Sequence, residues 1–428
     1  MTIFILFGTL AVCLLIGVPI AISLGVAAIA AIYFGTDLPL DLVAQKAFTS
    51  LDSFPLLAIP FFMLAGVLMG KGGISRRLLD LASSLVGFIT GGLSLVTVVA
   101  CMFFAAISGS GPATVAAIGG FMIPAMIAKK YDVGFSAAVP AAAGSIGVIL
   151  PPSIPFVLFG AIGSVSVGAM FLAGIIPGIL VGLVILLTAY VISKRKGYKS
   201  EDAAEFKAKD VLKAFWEAKW ALFIPVIILG GIYGGIFSPT EAAVAAVVYA
   251  LIIGVFVYKE LDLKTMYQCF LDTVVINATT MIIISFSVSF AFFMTLEQIP
   301  GSIASAMTSF TENPVFILLI VILFLLIVGM FIDTISALIV LTPILLPVVT
   351  SVGIDPVHFG VIMVSTLAIG FVTPPLGVNL FVASSVGKVK FEKIVVAVVP
   401  FIIVMIIAVL VIAFVPQLSL WLPGLFEG

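Results

Sequence analysis

Gly147-Val148-Ile149-Leu150-Pro151-Pro152 and Gly370-Phe371-Val372-Thr373-Pro374-Pro375 interrupt two apolar stretches that lie 223 residues apart. The same offset carries Pro124 onto Pro347 and Asp132 onto Asp355, so the register holds without a gap. Paired prolines inside an apolar segment remove helix hydrogen bonds and leave bare carbonyls. Only 9% of the residues are charged and 63% are hydrophobic, whereas about a quarter of a soluble domain is charged. The solvent of this chain is lipid. There, irregular backbone survives only where protein or a water-filled site covers it. Two such breaks at matching places of two repeats predict a transporter with its site at their junction.

The apolar runs predict spans at about 3–17, 19–34, 54–70, 135–165, 168–193, 219–236, 240–258, 271–294, 358–386 and 394–415. Two further segments, about 88–127 and 314–347, are apolar with polar or glycine-rich centres, and read as re-entrant helical hairpins. A hairpin adds no crossing, so each half has five, and an odd number inverts the second half relative to the first. The expected fold is an all-α polytopic membrane protein of two inverted repeats, 1–193 and 219–428, joined by a polar linker, 194–218. Arg76 to Val86 and Glu297 to Phe310 read as interfacial arm helices joining an outer framework to an inner moving part.

This topology puts 18 of the 19 Lys and Arg residues on one face and leaves only Lys46 on the other. The positive-inside rule makes the first face cytoplasmic and both termini external, which is periplasmic in a Gram-negative cell. Merging residues 3–34 into one helix would spoil that partition. No basic region precedes the first apolar stretch, so it reads as a retained span and not a cleaved signal. The linker could bind lipid headgroups, but a solvated linker helix is the plainer reading. Cys13, Cys101 and Cys269 lie in or beside apolar runs, lack metal-ligand spacing and read as packing residues.

The polar chemistry gathers at the breaks. Ser108-Gly109-Ser110-Gly111-Pro112-Ala113-Thr114 would turn the first hairpin, and Gly329 to Ser336, with Asp333 and Thr334, the second. Glycines let the backbone turn and approach a ligand closely. Unwound carbonyls and hydroxyls suit Na⁺, and half-helix N-termini suit an anionic group. One oxygen cage is expected per repeat. The first would draw on Ser108, Gly111, Gly144, Gly147, Val148 and Pro151, and the second on Gly329, Asp333, Gly370 and Thr373. Two or more Na⁺ ions would then couple transport. Substrate contacts are expected from Ser110, Thr114, Ser153, Asp333, Thr334 and Asn379. A small-residue packing motif is the competing reading of Ser-Gly-Ser-Gly.

Asp333 is the one carboxylate placed deep in the bilayer, where such a group is costly and functional by default. It can hold substrate through water or a cation, orient a hydrogen bond or carry a proton; its plainer role is a helix cap. Ser238-Pro239-Thr240-Glu241 reads as a capping box. His358 could sense pH, but reads first as an interfacial residue. No phosphate loop and no nucleophile–base constellation appear, so neither ATP drive nor an enzyme is expected.

Taken together, Ser108-Gly109-Ser110-Gly111-Pro112-Ala113-Thr114, Leu150-Pro151-Pro152-Ser153, Thr373-Pro374-Pro375-Leu376-Gly377-Val378-Asn379 and Ser53-Phe54-Pro55-Leu56-Leu57-Ala58-Ile59-Pro60 resemble the large membrane subunit of tripartite ATP-independent periplasmic (TRAP) transporters. The resemblance covers essentially the whole chain and is most like the sialic-acid branch. It implies a bacterial inner-membrane, Na⁺-coupled elevator importer of an organic anion, of the sialic acid or C4-dicarboxylate class. It also implies a separate small four-helix membrane subunit and a periplasmic substrate-binding protein, with no nucleic-acid partner. The alternatives are a lone divalent-anion symporter and an uncoupled channel or scaffold.

Overall fold

The computed structural model describes residues 2–36, 38–198, 207–311 and 313–426. Every regular element among them is a helix. Among the described residues nine helices are long and apolar enough to cross a membrane, and seven shorter apolar helices accompany them. The chain is an all-α polytopic membrane protein.

The short helices arise where the sequence breaks. Residues 3–34 form two helices, Thr2–Leu15 and Ile20–Gly35, because Gly17 turns the chain at φ 82° and Pro19 starts the next helix. The first hairpin has arms Gly92–Ser108 and Gly111–Ala128. Gly109, at φ 62°, makes its turn. Thr97 Oγ1 lies 3.7 Å from Met126 Sδ, so the arms run antiparallel. The second hairpin has arms Pro314–Phe331 and Thr334–Ser351. The repeat offset carries Ser110 onto Asp333, and each caps the second arm of its own hairpin.

Two broken helices complete the centre. Val133–Val148 resumes as Ile154–Gly163, and Pro356–Gly370 resumes as Val378–Gly387. Asp132 and Asp355 cap their starts, accepting from Phe135 N at 2.9 Å and Val357 N at 2.8 Å. Pro151-Pro152 and Pro374-Pro375 are both cis. Each resumed helix crosses to the other half. Ile154–Gly163 packs on Thr334–Ser351, while Val378–Gly387 packs on Val133–Gly144 and the second arm of the first hairpin.

Around this centre stand Ala58–Lys71, Ala208–Tyr233, Pro239–Val257 and Leu263–Leu296 with the two N-terminal helices. The arm helices run over Ile74–Val86 and Ile299–Phe310. Arg77 ties the first arm helix to the framework. It donates to Glu260 at 2.8 Å and lies 3.6 Å over the Tyr258 ring. Lys71 pairs with Asp272 at 2.6 Å nearby. Such half-exposed pairs add little stability, about 0–1 kcal/mol each, and serve to hold position.

Several boundaries differ from the sequence reading. Asp41–Thr49 is a helix too polar to span, held along Leu263–Leu296 by Ser285 Oγ to Ala47 O at 2.6 Å. Of the 194–218 linker, residues 199–206 lie outside the described residues, and Ala208 already begins the next long helix. His358 lies in the first turn of Pro356–Gly370. It is buried, with ring nitrogens 3.0 Å from Ser419 Oγ and 3.2 Å from Ala413 O. The reason is the C-terminal helix Gln417–Phe426, which brings Ser419 against it. The Ser238–Glu241 capping box and the burial of all three cysteines match expectation.

In the second half the hairpin and broken helix meet backbone to backbone. A β-carbon on Gly370 would strike the Gly329 carbonyl. Gly370→Val should therefore destabilise the detergent-purified protein by about 1–3 kcal/mol, read as a lower melting temperature. Gly120→Val, where a β-carbon meets nothing within 4 Å, should leave it unchanged. Equal melting of the two variants would refute the close contact.

Candidate substrate and ion site

The hairpin turns and broken helices enclose a central cavity of about 330 Å³. Four helices begin at its wall. Pro112 and Ala113 belong to the first turn of Gly111–Ala128, Ile154 and Pro155 to that of Ile154–Gly163, Thr334 and Ile335 to that of Thr334–Ser351, and Val378 opens Val378–Gly387. A helix N-terminus carries a partial positive charge and free N–H groups, which favour an anion. Among the described residues the lining contains one carboxylate, Asp333, and no Lys, Arg or His. An anion there is met by dipoles and backbone donors, not by a basic side chain.

Asp333 is half-buried and has its cap in place. Its Oδ2 accepts from Ser336 N at 3.0 Å and its Oδ1 from Ser336 Oγ at 2.6 Å. The cap does not remove it from the cavity, because a carboxylate has about four acceptor sites. Ser110, from the other hairpin, lines the same cavity. Ser108, Val148 and Thr334 also line the space.

Other residues singled out in the sequence lie behind the wall. Thr114, Ser153 and Asn379 are fully buried. Thr114 Oγ1 donates to Ser110 O at 2.7 Å and lies 3.0 Å from Ser108 Oγ, so the three residues brace one turn. Ser153 Oγ donates to Val148 O at 2.5 Å, and Ile154 N donates to Gly109 O at 3.4 Å, joining the first break to the first hairpin. Pro152 O approaches Gly109 so closely that a β-carbon there would lie 2.7 Å away, which puts the Pro151-Pro152 step against the hairpin turn.

The oxygens group by half. In the first, a β-carbon on Gly147 would lie 2.7 Å from both Ser110 O and Thr114 Oγ1, and one on Gly144 3.1 Å from Gly111 O. Ser108, Gly111, Gly144 and Gly147 therefore share one neighbourhood. In the second, Gly329 touches Gly370, Thr334 Oγ1 donates to Leu367 O at 3.4 Å, and Leu376 N donates to Met330 O at 3.3 Å. Thr373 Oγ1 donates to Ile369 O at 2.7 Å within its own segment. Neutral carbonyl and hydroxyl oxygens of this kind fit a hard monovalent cation.

The sequence reading missed the outer wall. Met63, Gly66 and Val67 of Ala58–Lys71 and Thr273, Ile276 and Thr280 of Leu263–Leu296 close the cavity from the framework. A β-carbon on Gly66 would lie 3.3 Å from Ser108 O, so the hairpin turn abuts this helix directly. A signal was available: Thr273, Asn277 and Thr280 recur at helical spacing on one face of the span.

A family model described as "Tripartite ATP-independent periplasmic transporter, DctM component" matches residues 7–418. The isethionate TRAP transporter permease protein DctMQ of Oleidesulfovibrio alaskensis is 52% identical over 98% of this chain, which spans 66% of that protein's length. The C4-dicarboxylate TRAP transporter large permease protein DctM of Vibrio cholerae is 40% identical over 97% of this chain and 96% of its own. The sialic acid TRAP transporter large permease protein SiaM of the same organism is 38% identical over 99% and 98%. The crystal structure of the Alcanivorax borkumensis YdaH transporter shares the fold, with a TM-score of 0.61 at 14% identity over 88% of this chain and 89% of that one. With these matches and a central site built on paired breaks, the chain belongs to the DctM family, the large membrane subunits of TRAP transporters.

Proposed function

We propose that this chain is the permease of a Na⁺-coupled importer that takes a small organic anion from a periplasmic binding protein and works with a small four-helix membrane subunit. The carrying observation is the cavity where four helix N-termini meet beside Asp333, with no basic side chain among the described lining residues. An anion beside a carboxylate in a low-dielectric site needs positive charge, and the helix dipoles supply only part of it. Bound Na⁺ on the neighbouring carbonyls supplies the rest and makes anion and cation binding mutually dependent. The volume of 330 Å³ lies at the low end of ligand sites, about 300–1,000 Å³. It suits an acid of a few carbons, as in relatives named for isethionate or C4-dicarboxylates, better than the bulkier sialic acid. The sidedness of Lys and Arg supports an inner-membrane orientation with both termini periplasmic.

The packing supports a moving-body mechanism. The hairpins and broken helices contact one another across the halves and form one body that carries the site. The framework helices give it a wall to slide along, and the arm helices Ile74–Val86 and Ile299–Phe310 link the two parts. Asp333 holds the second arm's cap and sets the charge that the cation balances.

In liposomes holding the complete transporter with binding protein, uptake should require inward Na⁺, at more than one Na⁺ per substrate. Equal uptake in choline buffer would overturn the coupling, and uptake without binding protein would favour a lone symporter.

Asp333→Asn should cut the initial uptake rate about tenfold or more, the scale of losing a charged partner, while yield and assembly with the small subunit persist. Wild-type uptake would leave Asp333 a cap alone.

Val167–Arg195 packs on the first arm of the first hairpin and on both broken helices and so belongs with the inner body; a β-carbon on its Gly168 would lie 3.7 Å from Ile232 Cγ2 of the framework helix Ala208–Tyr233. Gly168→Cys with Ile232→Cys, in a background lacking Cys13, Cys101 and Cys269, should stop transport when oxidised and regain it on reduction. Full transport by the completely cross-linked protein would refute a sliding body.

A further inference from the structure

Another cavity, of about 690 Å³, lies where the start of Val133–Gly144, the end of Val167–Arg195 and the start of Phe391–Phe414 meet. These three helices pack on one another. A β-carbon on Gly134 would lie 2.5 Å from Lys393 O, so the first turn of Phe391–Phe414 abuts the start of Val133–Gly144. At the helix ends the lining is charged, with Asp132, Lys196, Glu392 and Lys393. One to two turns deeper it is apolar, with Ile192, Val396, Ala397 and Pro400. Lys393 and Pro400 are seven residues apart (400 − 393), which is about 10 Å along a helix. Val396 is 76% exposed on this wall.

The repeat shows that the matching place in the other half is filled. The offset of 223 carries Asp132 onto Asp355, Phe135 onto His358 and Lys196 onto Ser419, and it carries Met170 onto Lys393, Ala173 onto Val396 and Pro177 onto Pro400. Met170, Ala173, His358 and Ser419 are all buried. The C-terminal helix Gln417–Phe426 covers them, packing on Val167–Arg195 and on Pro356–Gly370. In the first half the described chain takes another course. It turns at Gly197, φ 68°, and Tyr198 stacks on Tyr131 at 4.2 Å while its hydroxyl accepts from Asp132 N at 2.9 Å. The groove beside Val396 and Pro400 is left open where its counterpart is sealed by protein.

A groove that is charged at the helix ends and apolar within the membrane matches a phospholipid, head group outward and chain inward. The signs of the charges narrow the class. Asp132 and Lys196 lie 3.8 Å apart, while Glu392 and Lys393 have no ion-pair partner among the described residues. Neighbours in sequence do not face each other on a helix, so Glu392 and Lys393 do not satisfy one another. Two cations and two carboxylates sum to no net charge. A head group with a phosphate and a primary ammonium complements both signs. Phosphatidylglycerol brings no cation for Glu392, and the quaternary nitrogen of phosphatidylcholine has no N–H to donate.

We propose that this groove binds one phosphatidylethanolamine, its phosphate on Lys393 and Lys196, its ammonium on Glu392, and an acyl chain along Val396 and Pro400. Such a lipid is independent of the substrate cavity and of the coupling ion. It does for the first half what the C-terminal helix does for the second.

The test is thermal unfolding of the delipidated full-length protein in detergent, titrated with dioleoyl phosphatidylethanolamine, phosphatidylcholine, phosphatidylglycerol or inorganic phosphate. Phosphatidylethanolamine should raise the melting temperature at the lowest lipid fraction. Lys393→Gln and Glu392→Gln should each shift that midpoint upward about threefold or more, the scale of an exposed charge contact. Val396→Trp, which fills the apolar wall and leaves the charges, should do the same. Lys264→Gln, at an exposed lysine outside the groove, should keep the wild-type midpoint. Equal response to the three lipids, or none, would overturn the proposal. So would wild-type midpoints in Lys393→Gln and Val396→Trp. A matching shift with inorganic phosphate would reduce the groove to an anion site. A lipid response that appears only when residues 199–206 are replaced by glycine and serine would make the chain itself the occupant, and would equally refute a resident lipid.

Discussion

Backbone that leaves its helix inside a membrane must find partners for its amides and carbonyls. In lipid there is no water to take them, and each orphan is expensive. This chain breaks its helices at four central places and meets the demand by bringing the breaks together. Ile154 N reaches Gly109 O, Leu376 N reaches Met330 O, and Asn379 N reaches Phe371 O. Side chains finish what the backbone leaves. Ser110, Ser153 and Asp333 each cap the helix that follows a break. On the proposed function, the oxygens that remain unpaired would serve as ligands, so that one set of atoms would answer both needs.

Charge is handled with equal economy. The hydrophilic contacts that tether the arm helix and framework, such as Arg77 with Glu260, lie at one end of the bundle. At the centre the field comes from helix N-termini and one carboxylate. A basic side chain there would hold an anion whether or not a cation were present. Dipoles alone would hold it weakly, and under the proposed coupling a cation would then decide whether the site is filled.

Much of this was legible in the sequence because the breaks carry strong local signals. The twin prolines, the 223-residue register and the Gly-rich turn marked the hairpins and the broken helices, and Asp333 stood out by its charge in an apolar run. The C-terminal helix that buries His358 was not legible, since its role lies in a contact with a residue about sixty positions earlier. The framework wall was hidden for another reason: Thr273 and Thr280 are ordinary residues whose meaning depends on which helix they face. Asn379 was singled out, but periodicity along its helix cannot tell which half it enters. Its contact with Ala141 is a fact of tertiary packing.

The exchange of resumed helices between the halves bears on how such a chain is made. Ile154–Gly163 belongs to the first half but packs on Thr334–Ser351, and Val378–Gly387 returns the favour on Val133–Gly144. Neither half can close its own interior. As the chain leaves the ribosome, the first hairpin and first break can pair with each other, but the faces of Ile154–Gly163 and Val133–Gly144 that meet the second half stay without those partners until the last quarter of the sequence arrives. Assembly is therefore a late event decided near the C-terminus, and a truncated chain would present the quality-control proteases of the membrane with an open, polar seam.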